Sequence, residues 1–225
     1  MTRAALVIFA RAPRLGRVKT RLVPHLSSRG ALALHVACLE STARLAASLP
    51  RTIETWLYLT SGKSARNNLR LPSSIRPARQ RGADLGQRLE RAFKERSRAG
   101  AERVVVIGSD SPTLSRRLLL RAFAALERAQ AVLGPARDGG FYLIGLRVRG
   151  QEIEGLLDGV AWGGPQAFRE VRVHLLAAGL RVALLPESYD VDTAADLNRL
   201  ACALRRSRRR HLKPLNTWFQ RLGSF

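Results

Sequence analysis

Short unbroken apolar runs, bounded by Gly, Pro or Asp, alternate along the chain with longer stretches in which apolar positions recur every three or four residues. The first pattern predicts strands buried on both faces, and the second predicts helices packed by one side. Strands are expected over residues 4–10, 52–60, 75–79, 103–108, 141–146 and 181–185, with a further apolar stretch at 131–134. Helices are expected over about 27–49, where Leu32, Val36, Leu39 and Leu45 are apolar, and over 84–98, 115–129, 166–178 and 193–206. Asp84 is placed to cap the second helix, and Asp192 or Thr193 the last. Residues 62–71 are polar and read as a short helix or loop, and 212–222 as a terminal apolar-faced appendage. Strand and helix in alternation predict an α/β fold of three layers, αβα, around a mainly parallel sheet. One domain over 1–204 is expected, followed by a basic C-terminal segment, 205–225.

At 225 residues and 46% hydrophobic content the chain is long enough to bury a sizeable core. No run approaches the ~20 apolar residues of a membrane span, and 4–10 is too short for a secretion signal, so a cytoplasmic protein is expected. Cys38 and Cys202 sit in apolar, helix-like surroundings without metal-ligand spacing and read as buried thiols. Charge changes the picture more. The formal net charge is +22, carried almost wholly by arginine, since the lysines are Lys19, Lys63, Lys94 and Lys213 alone. Such a field attracts nucleic acid and other polyanions. The arginines are nevertheless spread over every helix, with no stripe of interleaved aromatics, so nucleic acid is expected to bind only non-specifically. The run Arg205, Arg206, Arg208, Arg209, Arg210 and Lys213 is the exception, and it reads as a solvated tail or helix face.

Candidate chemistry collects at strand ends. The strand over 103–108 runs into Ser109-Asp110-Ser111-Pro112, which puts a carboxylate where open α/β sheets gather ligands. Asp110 either holds a divalent metal against phosphate oxygens or caps the following helix. Two more acidic turns, Asp138-Gly139-Gly140 and Asp190-Val191-Asp192, flank other strands and favour the metal. The paired glycines suit either close approach to a ligand or a plain hairpin turn. Of Asp190 and Asp192, one is expected to cap the next helix and the other to reach a metal held by Asp110. Two carboxylates satisfy Mg2+ or Mn2+ that keeps water and phosphate oxygens as its other ligands. The loop from Arg11 to Leu22 combines Pro13, Gly16, Lys19 and Arg21 where a nucleotide base and its phosphates would lie, although it is neither a dinucleotide fingerprint nor a Walker loop. Ser61-Gly62-Lys63-Ser64 imitates the end of a Walker loop but lacks its earlier glycine.

Phe9-Ala10-Arg11-Ala12-Pro13 with Gly16, Lys19-Thr20-Arg21-Leu22, Gln80 through Arg88, Gly108-Ser109-Asp110-Ser111-Pro112, Gly134 through Leu146 and Asp190-Val191-Asp192-Thr193 occur in that order. Together they resemble the small bacterial GT-A-type glycosyltransferases, the nucleotide-diphospho-sugar transferases of the arsenosugar-biosynthesis type, over roughly residues 4–200. The segment from Lys19 to Leu26 is also similar to the 2-phospholactate guanylyltransferases, which share the fold. The resemblance implies a GT-A fold and a metal-dependent glycosyltransferase that takes a nucleotide-diphosphate sugar and an unknown small acceptor. A nucleotidyltransferase that releases pyrophosphate is the alternative. The resemblance further implies that Asp110 and Asp192 hold Mg2+ or Mn2+, and that Ala10, Arg11, Pro13, Gly16, Lys19, Arg21, Asp84 and Gly86 lie on the nucleotide side. Gly139, Gly140 and Trp162 would face sugar or acceptor, with Asp138 as the candidate base. There is one departure: after Trp162, where hydroxyl residues are expected, the chain has Gly163-Gly164-Pro165.

Overall fold

The computed structural model describes residues 3–60, 69–207 and 209–222. The Walker-like segment at 61–64, and the polar stretch over 62–71 as far as residue 68, lie outside the described residues. Seven strands, β1 (Ala4–Ala10), β2 (Ile53–Leu59), β3 (Ile75–Arg79), β4 (Arg103–Gly108), β5 (Ala131–Pro135), β6 (Phe141–Arg147) and β7 (Val182–Leu184), form one sheet. Their order is β3-β2-β1-β4-β6-β5-β7. Neighbours are parallel except at β6, which runs against both β4 and β5. The reversal follows from the connection: a tight turn joins β5 to β6, whereas parallel neighbours need a crossover.

Six helices accompany the sheet: α1 (Val23–Ala47), α2 (Leu85–Arg98), α3 (Arg116–Ala125), α4 (Ala167–Ala177), α5 (Ala194–Arg205) and α6 (Lys213–Leu222). Successive residues of β1 serve opposite faces of the sheet. Leu6 and Ile8 belong to the cluster that holds Leu39 of α1 and Leu119 of α3, while Val7 and Phe9 belong to the one that holds Phe93 of α2 and Leu175 of α4. The result is the expected three-layer αβα architecture.

α1 is covered on two sides. Leu39, Ala43 and Ala46 join the sheet cluster, whereas Leu34, Ala37 and Cys38 pack with Leu197 and Leu200 of α5 and with Leu212, Leu215 and Trp218 at the C-terminal end. The segment expected as an appendage is therefore packed against the body. Leu32 and Val36 are only half-buried, because the second contact face runs through Leu34 and Cys38 instead. A break at Ser27 (φ 59°, ψ 166°) divides α1, and the Ser27 hydroxyl accepts from Gly30 N. The regular helix thus starts where the apolar periodicity predicts, with a short turn before it. α3 ends at Ala125, earlier than expected, in tighter turns closed by Glu127 N to Ala124 O and Arg128 N to Ala125 O.

Two expectations are corrected. Cys38 is buried but Cys202 is exposed, because α5 turns Leu197, Leu200 and Leu204 inward and leaves position 202 on its other side. Neither Asp190 nor Asp192 caps α5. Thr193 does so, in a reciprocal box with Asp196 that satisfies both ends of the first turn. Asp84 and Ser115 cap α2 and α3 by accepting from Gln87 N at 2.9 Å and Leu118 N at 3.1 Å.

The packed C-terminal helix yields a test. Trp218 is buried and meets Phe219 edge-on, so Trp218→Ala is expected to lower unfolding free energy in urea by about 3 kcal/mol. A loose appendage would give at most ~0.5 kcal/mol.

Candidate functional site

β1 and β4 are adjacent parallel strands near the middle of the sheet, where the strand order reverses, and a crevice lies beyond their carboxyl ends. Its walls are the loop after β1, the turn after β4, the β5 to β6 turn, and the stretches before α4 and α5. The cleft encloses about 700 Å³.

Lys19 organises one wall. It adopts the left-handed conformation (φ 50°) ahead of a single 3-10 turn, Thr20–Leu22, whose Leu22 is buried in the core. That conformation costs roughly 1 to 2 kcal/mol for a residue with a side chain, and the bonds of the ammonium offset it. The side chain is 2% exposed, is paired with the Asp110 carboxylate, and reaches Val191 O at 2.7 Å and Asp192 Oδ1 at 3.3 Å. Val191 N donates back to Asp110 O at 2.9 Å. Burial on its own would lower the Lys19 pKa, but attraction from Asp110, with Cys38 and Asp192, prevails and raises it. Burial presses the Asp110 carboxyl upward, and there too the Lys19 charge prevails and holds it below the usual carboxylate range. Asp110 Oδ1 is sealed from solvent while its side chain as a whole is 41% exposed, so the open side faces the cleft.

Asp190 sits beside this pair and accepts from Ser111 Oγ. Burial raises its pKa; the Ser111 bond opposes the shift, whereas the neighbouring Asp110, Asp138 and Asp192 add to it, and the carboxyl ends at about 7. Cys38, buried beneath, is pushed up to about 12 by desolvation and stays a neutral thiol. His35 of α1 also lines the cleft, with Nε2 3.0 Å from Arg11 O. Burial keeps its pKa low, so the neutral ring donates Nε2–H to that carbonyl.

Of the residues singled out from sequence, Arg11, Lys19, Arg21, Asp110, Asp138, Gly140, Trp162 and Asp192 line the cleft. Ala10, Pro13, Gly16, Asp84, Gly86 and Gly139 do not. Ala10 closes β1 in the core, its carbonyl accepting from Gln80 Nε2 at 3.1 Å. Pro13 and Gly16 shape the loop away from the cavity, and Asp84 is committed to the cap of α2. Gly86 lies against Trp162, where a Cβ would come within 2.9 Å of the ring. Gly139 has φ 86° and a Cβ there would overlap the Pro165 carbonyl. The hairpin turn is thus packed against Pro165, and Phe168 N donates to Gly139 O at 2.9 Å. The segment that departs from the expected hydroxyl residues packs that turn through Pro165, and all three of its residues line the cleft.

Sequence reasoning missed His35 and left Asp190 out of the metal pair, whereas Leu85, expected on the nucleotide side, and Phe141, expected beside a sugar pocket, do line the cleft. A histidine on the buried face of a long helix was the available signal for His35. Phe141 and Trp162, edge-on at 6.3 Å, form with Leu85 an apolar part of the cleft wall. Among the described residues no three His, Cys, Asp or Glu side chains form a ready-made metal cage.

The DUF2064 family, described as "Uncharacterized protein conserved in bacteria", matches residues 43–164, more than half of the chain. The chain belongs to this family. The matched DUF2064 span carries Asp110, the Asp138 turn and Trp162, whereas Lys19, Asp190 and Asp192 fall outside it. Among solved structures, a protein of Desulfovibrio desulfuricans G20 provisionally described as a nucleotide-diphospho-sugar transferase is 29% identical, with 96% of this chain and 95% of that one covered and a TM-score of 0.86. A cytidylyltransferase of Leptospira borgpetersenii (14% identity, 99% and 96% covered, TM-score 0.59) shares the fold. So does the 2-C-methyl-D-erythritol 4-phosphate cytidylyltransferase of Thermus thermophilus (20% identity, 92% and 100% covered, TM-score 0.51). No curated protein matches the sequence. No helix among the described residues of this DUF2064 protein is long and apolar enough to cross a membrane.

Two variants test the electrostatics. Lys19→Met removes the buried ammonium from between Asp110 and Asp192 and leaves these half-exposed carboxylates without their counter-charge, which should cost about 1 to 2 kcal/mol at pH 7.5. In the native protein the depressed Asp110 pKa contributes stability above the unfolded value of ~3.9 and loses it as pH falls. In the variant that carboxyl is no longer held down, so the deficit, read from thermal melts, should shrink on acidification. Asp190 behaves oppositely. The native carboxyl keeps its proton to about 7 while the unfolded one ionises near ~3.9, so stability falls as pH rises between these values. Asp190→Asn should therefore be more stable than the native protein by on the order of 1 to 2 kcal/mol at pH 8 and equal to it at pH 4, measured by urea unfolding.

Proposed function

We propose that this protein is a metal-dependent transferase acting on a nucleotide-diphosphate sugar. The observation that supports this best is the meeting of Asp110, Asp190 and Asp192 with the cations Arg11, Lys19 and Arg21 in one cleft, at the switch between β1 and β4. The near-full-length likeness to the Desulfovibrio protein favours a sugar nucleotide as substrate.

The donor set fits a divalent ion. Asp110 and Asp192 touch the same ammonium, so they are close enough to share a cation, and Asp190 stands beside them, its pKa raised by burial first and by Asp110, Asp138 and Asp192 in addition. Asp110 and Asp192 would hold Mg2+ or Mn2+, which supplies positive charge against the diphosphate and takes its other ligands from water and phosphate. Lys19, bonded to both carboxylates and to Val191 O, positions them. Arg11 and Arg21 line the cleft and make no ion pair among the described residues, so their guanidinium groups are available to diphosphate oxygens as charge builds on the leaving group. Leu85, Phe141 and Trp162 offer an apolar face for the sugar ring. Asp138 accepts from Gly140 N at 3.0 Å through Oδ1, which leaves Oδ2 to orient an acceptor hydroxyl and take its proton as the sugar to phosphate bond breaks.

The test supplies Mn2+ with panels of nucleotide sugars and of nucleoside triphosphates and measures nucleoside diphosphate and pyrophosphate separately. Nucleoside diphosphate release from a sugar nucleotide, reduced at least ~100-fold in Asp110→Asn, is expected. Metal-dependent pyrophosphate release with no turnover of any sugar nucleotide would instead establish a nucleotidyltransferase. Turnover unchanged in Asp110→Asn would remove the cleft from the chemistry altogether.

A further inference from the structure

A second cavity, of about 620 Å³, lies on the helical face between the C-terminal half of α1, the start of α3 and the chain entering α6. Arg44, Arg116, Arg117, Arg209, Arg210 and His211 line it, no carboxylate does, and no lining residue is shared with the cleft. The five arginines come from three separate parts of the sequence and none makes an ion pair among the described residues. Two are held by carbonyls: Arg116 Nε donates to Ser48 O at 2.9 Å and an Arg209 guanidinium nitrogen to Thr113 O at 2.9 Å. Their remaining N–H groups are left for another acceptor. His211 Nε2 is sealed from solvent and has no partner.

The start of α3 adds an independent sign. Its first turn contains no acidic residue and opens with Arg116-Arg117 behind the cap Ser115. Cations there oppose the positive end of the helix dipole, where anions are favoured. Five guanidinium groups around a concavity, at a helix N-terminus and without a counter-charge, repel one another until an anion is bound. A group of three, Arg79, Arg81 and Arg88, also lines a cavity without a carboxylate, but other arginine clusters are neutralised. The cavity beside Arg103, Arg147 and Arg149, for example, carries Glu102 and Glu127, which pair with two of these arginines.

We propose that this cavity is a second anion site, separate from the cleft, that binds a compact small molecule carrying several linked phosphate groups. The depression is shallow and its five arginines are exposed, but guanidinium forks brought to one place from three parts of the chain suit phosphate oxygens converging from one small ligand, whereas a nucleic-acid backbone or a lipid surface favours an extended stripe. The assignment does not depend on the reaction proposed for the cleft. The site nevertheless shares a segment with it, because Thr113, which holds Arg209, lies in the turn that carries Asp110.

Calorimetric titration with inorganic tripolyphosphate, in EDTA and at ~0.15 M KCl, tests the proposal. Arg11→Ser/Arg21→Ser serves as the background, so that the cleft lacks its own phosphate ligands. Adding Arg44→Ser, Arg117→Ser and Arg210→Ser should weaken binding at least about tenfold, whereas Arg91→Ser, Arg128→Ser and Arg172→Ser, exposed positions outside both cavities, should change it less than about twofold. Equal losses in the two sets would reduce the effect to net charge and overturn the site, as would undiminished binding in the first. Orthophosphate binding as tightly as tripolyphosphate would overturn the requirement for linked phosphates. Single-stranded RNA or phosphatidylglycerol vesicles that need Arg44, Arg117 and Arg210 when tripolyphosphate does not would overturn the small-ligand assignment.

Discussion

One buried ammonium holds the cleft together. A lone charge withdrawn from water costs several kcal/mol, and the cost is met only when every partner is in place. For Lys19 those partners are Asp110 in the turn after β4 and the Val191 carbonyl and Asp192 before α5. Three chain segments far apart in sequence are thereby held at one end of the sheet. The left-handed backbone at Lys19 is a consequence, since the loop must turn sharply for the side chain to enter this nest while Leu22 drops into the core. Val191, fully buried and bonded through both its N–H and its carbonyl, is the hub of the arrangement although it has no reactive group.

The same pairing shapes the electrostatics of the open side. Lys19 neutralises part of the carboxylate cluster but not all of it, and Asp190, held up by burial and then by the neighbouring carboxylates, keeps its proton to about pH 7. The cleft therefore carries one carboxyl poised near neutrality beside one held ionised. The same cavity also carries an apolar wall and two guanidinium groups without an ion pair among the described residues, so polar chemistry and ring packing share one cleft.

Most of the fold was legible because its signals are periodic and local. Strand runs with both faces apolar could only be covered by two helical layers, and Asp84 and Thr193 announced their helices in the sequence. α1 was harder: its contacts with α5 and α6 make it apolar on two sides, which blurs the single stripe that marks a helix boundary. In the site, Asp110, Asp138 and Asp192 were readable because each ends or precedes a regular element in a turn. The partnership of Lys19 with Asp110 was not, because no pattern along a chain reports a pairing across the sheet. Asp84 and Gly86 teach the converse lesson. They belong to a motif-like segment, yet one caps α2 and the other admits the Trp162 ring, so a recognisable string can record packing as readily as chemistry.

The separation of 172 positions between Lys19 and its Val191 acceptor also orders events during synthesis. β1, β2 and β4 can pair as soon as they have left the ribosome, but the contact that neutralises Lys19 closes a loop of nearly the whole domain, and such closures come late. Until the stretch before α5 emerges, a nascent chain with most of its sheet in place lacks Asp190 and Asp192 entirely. Its crevice is then missing two of its four aspartates, and the Lys19 ammonium has only Asp110 to meet it. Maturation of the cleft is therefore vectorial: its carboxylate cluster is completed only when the stretch before α5 has emerged, after the scaffold that displays it.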